Sequence, residues 1–135
     1  MNPPARLRVG IDLVQVSRIA ESLERFGERF MRRIFTDGEI AYATAAPALT
    51  AQRLAVRFAA KEAAIKARGI VDWRIAWRDI EVRRTPTGAC ELALRGDAGE
   101  TAASLGVTEL AVSLSHEGDY ATAIVVTHVR ANKGA

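Results

Sequence analysis

The sequence predicts an α+β fold, a single compact domain over residues 1–135 in which an antiparallel sheet packs against two longer helices and several short ones. Three observations carry that expectation. The apolar pattern has a period of two near the start, a helical period through two long stretches, and a period of two again in paired runs of the second half. Each pair of runs flanks a short turn-forming segment, so neighbouring strands should be antiparallel hairpins. Finally, 135 residues with 49 % apolar content suffice for one real core but not for two.

The elements follow in order. Leu7, Val9, Ile11 and Leu13 alternate with Arg8, Gly10, Asp12 and Val14, which is a strand with one strongly apolar face and Asp12 on the other. Taken alone, Asp12 is either a strand-end or capping aspartate or a ligand. Over 16–34 the period becomes helical, with Val16, Ile19, Ala20, Leu23, Phe26, Phe30 and Ile34 as the apolar stripe. At about 100° per residue, Arg18, Arg25, Arg29 and Arg32 then cluster on the opposite side, provided Gly27 does not break the helix, with Glu21, Glu24 and Glu28 as a separate flank. Such a stripe is either a solvated face or a surface for an acidic protein.

Thr36 or Asp37 should cap a short helix over 40–46, which stops before Pro47; Asp37 and Glu39 both read first as caps. A second long helix is expected over 50–68, ending at Gly69 and followed by a loop containing Asp72 and Trp73. The runs 80–83 and 89–94 form a hairpin about Thr85-Pro86-Thr87-Gly88. A short helix over 97–105 closes at Gly106, and 110–115 with 120–129 brackets His116-Glu117-Gly118-Asp119 as the last hairpin. No internal repeat, linker or low-complexity segment interrupts the pattern.

Composition excludes several functions. The net charge of +3 suits an acidic or phosphorylated partner without selecting one. No zinc-finger spacing and no interleaving of aromatic with basic residues is present, which argues against nucleic acid. The start of the chain lacks the apolar run of a signal peptide, and no stretch approaches the roughly 20 apolar residues of a membrane span, so a cytoplasmic protein with no membrane partner is expected. Cys90 is the only cysteine, so no intrachain disulfide can form, and it reads as a buried strand residue. Glycine-rich phosphate loops, helical histidine pairs and serine-hydrolase elbows are all missing.

The chemistry concentrates in Arg57-Phe58-Ala59-Ala60-Lys61-Glu62-Ala63-Ala64-Ile65-Lys66-Ala67. Helical spacing puts Glu62 and Lys66 on a face with Ala55, Phe58, Ala59 and Ile65, expected to be the buried one, and sets Arg53, Arg57 and Lys61 as a ladder on another side. Two readings stand. One is an ordinary Glu-before-Lys pair on an exposed face; the other is a metal ligand beside a phosphate-binding lysine, which requires a second carboxylate from elsewhere. His116, where a strand meets a turn, is either structural or open to a ligand.

Four motifs in sequence carry a resemblance: Gly10-Ile11-Asp12 with Arg18-Ile19; Phe35-Thr36-Asp37-Gly38-Glu39; the 57–67 stretch; and Ser113-Leu114-Ser115-His116 with Tyr120-Ala121. Together they resemble the holo-acyl-carrier-protein synthase family, the small phosphopantetheinyl transferases, over nearly the whole chain. The resemblance implies a 4′-phosphopantetheinyl transferase-like fold and an enzyme that moves the arm of coenzyme A to a serine of an apo acyl carrier protein, releasing adenosine 3′,5′-bisphosphate. It implies Mg2+ held by Asp12 and Glu62, with Lys66 at the pyrophosphate. It further implies nucleotide or phosphate contacts from Lys61 and His116, with Arg57 and Arg53 as additional candidates. The catalytic base is left open among Glu62, a metal-bound water, and Asp37 acting through water. Arg18, Arg25 and Arg29 would dock the acidic carrier, in fatty-acid biosynthesis or in a polyketide or peptide pathway. A homotrimer with active sites between subunits is also implied.

The alternative is a non-catalytic binder of an acidic protein or nucleic acid through the arginine-rich first helix, against which the paired carboxylates count. The chain departs from the family pattern in three places. Val71 stands where a glycine is usual in a shortened loop, Gly88-Ala89-Cys90 replaces the frequent Gly-Lys-Pro, and Glu117-Gly118-Asp119 is a variable turn.

Overall fold

A computed structural model describes residues 5–68 and 76–130. Gly69, Val71, Asp72 and Trp73, expected to end the second long helix and form the loop after it, lie outside the described residues. The chain folds in the expected α+β class. Strand β1 (Ala5–Gln15) leads into α1 (Val16–Phe26), α2 (Glu28–Ile34) and α3 (Asp37–Thr44), and then through a 3-10 turn (Pro47–Leu49) to the long α4 (Thr50–Ala67). After another 3-10 turn (Trp77–Asp79) come β2 (Ile80–Arg84), β3 (Cys90–Leu94), α5 (Gly96–Ser104), β4 (Val107–Glu117) and β5 (Tyr120–Arg130).

The main sheet has the order β1-β5-β4 and is antiparallel throughout, while β2 and β3 form a separate two-stranded ribbon. Period-two alternation then decides which residues can meet. Gly10, Asp12 and Val14 of β1 lie opposite Val125, Ala123 and Ala121 of β5, and those three β5 residues are buried. This inner face carries α4. His116 of β4 is also paired with Ala121, so it belongs to the same face as Asp12.

Alanine is what lets α4 sit so close. Ala55, Ala59, Ala60, Ala63, Ala64 and Ala67 are all buried along it, and the strand answers with a glycine. A Cβ on Gly10 would fall 2.0 Å from the Ala63 carbonyl oxygen and 2.6 Å from the Ala67 nitrogen, so only glycine permits this approach. The strongly apolar alternation of β1 points the other way. Leu7, Val9, Ile11 and Leu13 are 60–67 % exposed, forming an uncovered apolar row on the outer face of the sheet.

Two expectations fail here. The first long helix is broken: Gly27 takes φ 56° and separates α1 from α2, so Arg18 and Arg25 belong to one helix and Arg29 and Arg32 to the next. Phe26, counted as core, is instead 56 % exposed beneath the Arg25 guanidinium at 5.6 Å. The buried face of α4 is also not the expected one. Arg57 and Lys61 are 4 % and 0 % exposed, whereas Glu62 is half-buried and Lys66 exposed.

The reason lies in Glu39. Thr36 caps α3 in a capping box with Glu39, as its position before the helix predicts. The same Glu39 carboxylate then accepts from Lys61 Nζ at 2.8 Å and from the Val82 backbone N–H at 2.9 Å. Lys61 also donates to the carbonyls of Trp77 and Ile80. A buried ion pair with every hydrogen-bonding position filled thus pins α3, α4 and β2 together. Nearby, Thr36, Arg83 and Arg95 donate to Glu81. Burial alone would raise the Glu81 carboxyl, but these donors prevail and hold it below its ordinary value.

Candidate active site

On the exposed side of the β1–α4 contact, Lys66 Nζ donates to Asp12 Oδ1 at 2.9 Å and to the Ile11 carbonyl at 3.1 Å. The Asp12 side chain is only 17 % exposed and that of Lys66 is 53 % exposed, so the pair stands at the rim of the contact. Glu62, one turn before Lys66, shares this field. Its carboxyl is pushed above its ordinary value by burial and then by Asp12, against the smaller opposing pull of Lys66. Glu62 makes no hydrogen bond to another described residue.

Asp12 and Glu62 therefore converge from two elements, as a paired ligand set requires. Two hard oxygen donors whose mutual repulsion raises one of them fit a small divalent cation, which would relieve that repulsion. Gly10 and the alanines fix the geometry, because Gly10 precedes Asp12 by two residues and Ala63 follows Glu62 directly. The ordinary Glu62–Lys66 helix pair does not form; Lys66 reaches across to Asp12 instead.

A second cluster lies at the start of α4. The Tyr42 ring is flanked by the guanidinium carbons of Arg53 at 4.2 Å, Arg57 at 4.4 Å and Arg84 at 5.2 Å. Arg53 also donates to the Tyr42 carbonyl, Arg57 to the Arg53 carbonyl, and Arg84 to the Tyr42 hydroxyl. None of the three arginines is paired with a carboxylate among the described residues. They line a cleft of about 460 Å³ with Gln52, Cys90 and His116, whose Nδ1 lies 2.8 Å from Gln52 Nε2. Burial draws the Arg57 guanidinium below its ordinary value, and its Nε has no hydrogen-bond partner. Three cations around one ring, none bonded to a carboxylate among the described residues and only Arg57 within the field of Glu39, make an anion-binding wall.

The structure thus brings Asp12, Glu62 and Lys66 together in one place and Arg53, Arg57 and His116 in another. It does not bring Lys61 to either. Lys61 was expected to touch nucleotide, but its three donors are spent in the interior on Glu39, Trp77 and Ile80, which removes it from any surface of this chain. Asp37 is exposed at the first turn of α3, where it accepts from Arg78 at 2.8 Å, and no contact joins it to Glu62 or Lys66. Arg18, Arg25 and Arg29 are all exposed, on α1 and α2. Sequence reading passed over Tyr42 and Arg84. Their only signal is Tyr42 on a short helix and Arg84 at a strand end, and neither spacing shows that three arginines would meet there.

Comparison with known proteins gives the family. A family model described as the 4′-phosphopantetheinyl transferase superfamily matches residues 8–125, and that is the class to which the fold belongs. A holo-acyl-carrier-protein synthase of Koribacter versatilis is 45 % identical over 121 residues, covering 89 % of this chain and 96 % of the relative. Another, from Carboxydothermus hydrogenoformans, is 48 % identical over 119 residues, covering 87 % and 94 %. Among solved structures, an ACPS–CoA complex of Chronobacterium ammoniagenes superposes with a TM-score of 0.83 at 35 % identity, covering 93 % of this chain and 99 % of that one. The chain belongs to the holo-acyl-carrier-protein synthase family of enzymes.

Proposed function

We propose that the protein transfers the 4′-phosphopantetheine arm of coenzyme A to a serine of an apo acyl carrier protein, with Mg2+ required and adenosine 3′,5′-bisphosphate released. The observation that carries this reading is the Asp12–Lys66 contact beside the raised Glu62 carboxyl. Asp12 and Glu62 would hold the magnesium, which when bound would neutralise charge on the pyrophosphate as the phosphorus–oxygen bond breaks. Lys66, exposed and flexible, is placed to swing from Asp12 toward a phosphate oxygen. The serine proton falls to Glu62, to a water on the magnesium, or to Asp37 acting through water. Asp37, tied to Arg78, is the lesser choice.

The nucleotide end belongs in the arginine cleft, where Arg53, Arg57, Arg84 and His116 offer donors to its phosphates. Among the described residues of one chain, no hydrogen bond or ion pair links that cleft to the Asp12–Glu62 pair. A homotrimer joined through the exposed row of Leu7, Val9, Ile11 and Leu13 would let one subunit's cleft serve another subunit's carboxylates. Docking of the acidic carrier falls to Arg18, Arg25 and Arg29, with exposed Phe26 beside them. The cytoplasm is the expected site of action, and no helix among the described residues is long and apolar enough to cross a membrane.

The test is the intact mass of an apo acyl carrier protein incubated with the enzyme, coenzyme A and magnesium. A gain of one phosphopantetheine arm, lost with chelator, supports the reading; no gain with fatty-acid, polyketide or peptide carriers overturns it. Light scattering tests the assembly separately, and a monomer at working concentration would refute the trimer.

A further inference from the structure

We propose that Cys90 makes the arginine cleft a site of covalent modification by small disulfides bearing carboxylates, and that the adduct excludes the nucleotide. The second half rests on the placement of the nucleotide end in this cleft.

Cys90 is the only cysteine and is a free thiol, half-buried at the start of β3. In the ladder it stands directly opposite Arg84, so the two side chains project from the same face of the ribbon. Its side chain lines the cleft together with Arg53, Arg57, Arg84 and His116, and no carboxylate shares that lining among the described residues. The thiol also lies near enough to the Arg57 guanidinium for the two to interact electrostatically.

A second observation points to an anion independently of the cysteine. Arg57 is only 4 % exposed, yet its Nε has no hydrogen-bond partner, and its guanidinium carbon lies 4.4 Å from the Tyr42 ring centroid with no carboxylate bonded to it among the described residues. A charged donor buried this far and left unpartnered favours an anionic visitor. Carboxylates on an incoming disulfide would meet the guanidiniums, raising its concentration at Cys90 above that in bulk solution.

The step balances without any further oxidant. The deprotonated Cys90 Sγ attacks one sulfur of the reagent; a new S–S bond forms as the old one breaks, and the departing thiolate takes up a proton equivalent to the one Cys90 released. The reagent is reduced to its thiol while Cys90 is oxidised to the mixed disulfide, which any dithiol can reverse. A glutathione-sized adduct would occupy much of a cleft of about 460 Å³.

The experiment compares dithiobis(nitrobenzoate), which carries carboxylates, with neutral dithiodipyridine on the native protein, each rate divided by that for free cysteine. The expected preference for the anionic reagent is about tenfold or more at low salt. It should shrink toward unity at high salt and in Arg84→Gln. Equal normalised rates, or labelling only after denaturation, would overturn the site. In the second arm, oxidised glutathione should abolish coenzyme A-dependent transfer by the wild type, with recovery in dithiothreitol, while the rate of Cys90→Ser, whatever its untreated value, should be the same before and after treatment. Adenosine 3′,5′-bisphosphate should slow the labelling. If anionic labelling is preferred but fully modified enzyme still transfers, the thiol site stands and the placement of the nucleotide falls.

Discussion

Replacing Gly10 by alanine should disable the enzyme while leaving it folded. The added Cβ would lie 2.0 Å from the Ala63 carbonyl oxygen and 2.6 Å from the Ala67 nitrogen, where real Cβ contacts stay beyond 3.0 Å. Both obstacles are backbone atoms of α4, so no side chain can rotate away, and β1 must withdraw by about 1 Å or more. Overpacking of that kind costs about 1–3 kcal/mol, which in a domain of this size lowers Tm by roughly 3–12 °C. Asp12 travels with the strand, and a misplacement of about 1 Å at a reacting centre costs on the order of a hundredfold in rate. The assay pairs thermal melting with kcat on an apo carrier and titration of Mn2+ by electron paramagnetic resonance. The expected result is a folded protein with weakened metal binding and kcat down by about a hundredfold. A variant that melts, binds Mn2+ and turns over like the wild type would refute the close nesting of β1 on α4.

Other outcomes follow from the same geometry. Glu62→Gln should abolish transfer and, in chelator-treated metal-free buffer, raise Tm at neutral pH, because the folded-state carboxyl sits above its ordinary value and ionised Glu62 therefore costs stability; the gain should fade as pH falls toward 4.5 and below. An unchanged or lower Tm at pH 7 would contradict that field. Lys61→Met should destabilise by about 3–5 kcal/mol in urea titrations by stranding Glu39, and adding Glu39→Gln should recover part of the loss. Strictly additive losses would show the pair is not coupled. Arg25→Glu should raise the carrier KM and weaken its salt dependence with little change in the coenzyme A KM; an unchanged carrier KM removes Arg25 from the dock.

Much of this architecture was legible from pattern because local rules agreed with the global fold. The β1 alternation, the Thr36 cap, the hairpin about Gly88 and the closure at Gly106 all formed within a few residues of where turn and capping chemistry put them. The Asp12–Glu62 pairing was not in the spacing; it came through resemblance, and the Gly10–Ala63 approach explains it physically. What misled was the choice of face: Glu62 and Lys66 were expected inside α4 and Arg57 and Lys61 on another side, the reverse of what forms. Lys61 is buried because Glu39, which looked like a simple cap, accepts from Lys61 on the same Oε1 that takes the Thr36 N–H, while its Oε2 holds β2. No periodicity can reveal a partner twenty-two residues away. The same blindness hid the arginines of α4 and β2 that meet around Tyr42 of α3.

Strand β1 is written on both sides. One set of alternate residues, Gly10, Asp12 and Val14, faces α4, and the interleaved set, Leu7, Val9, Ile11 and Leu13, lies bare on the outside. Loss or gain of one residue before Asp12 would exchange the two texts, turning the carboxylate outward and driving leucines and isoleucine against a helix that tolerates only glycine there. Point substitutions can drift along the outer row, but neither the inner Gly10 nor the length of this segment is free to drift. In lineages descended from this fold, insertions and deletions should collect in the turns and leave the spacing from Gly10 to Asp12 untouched.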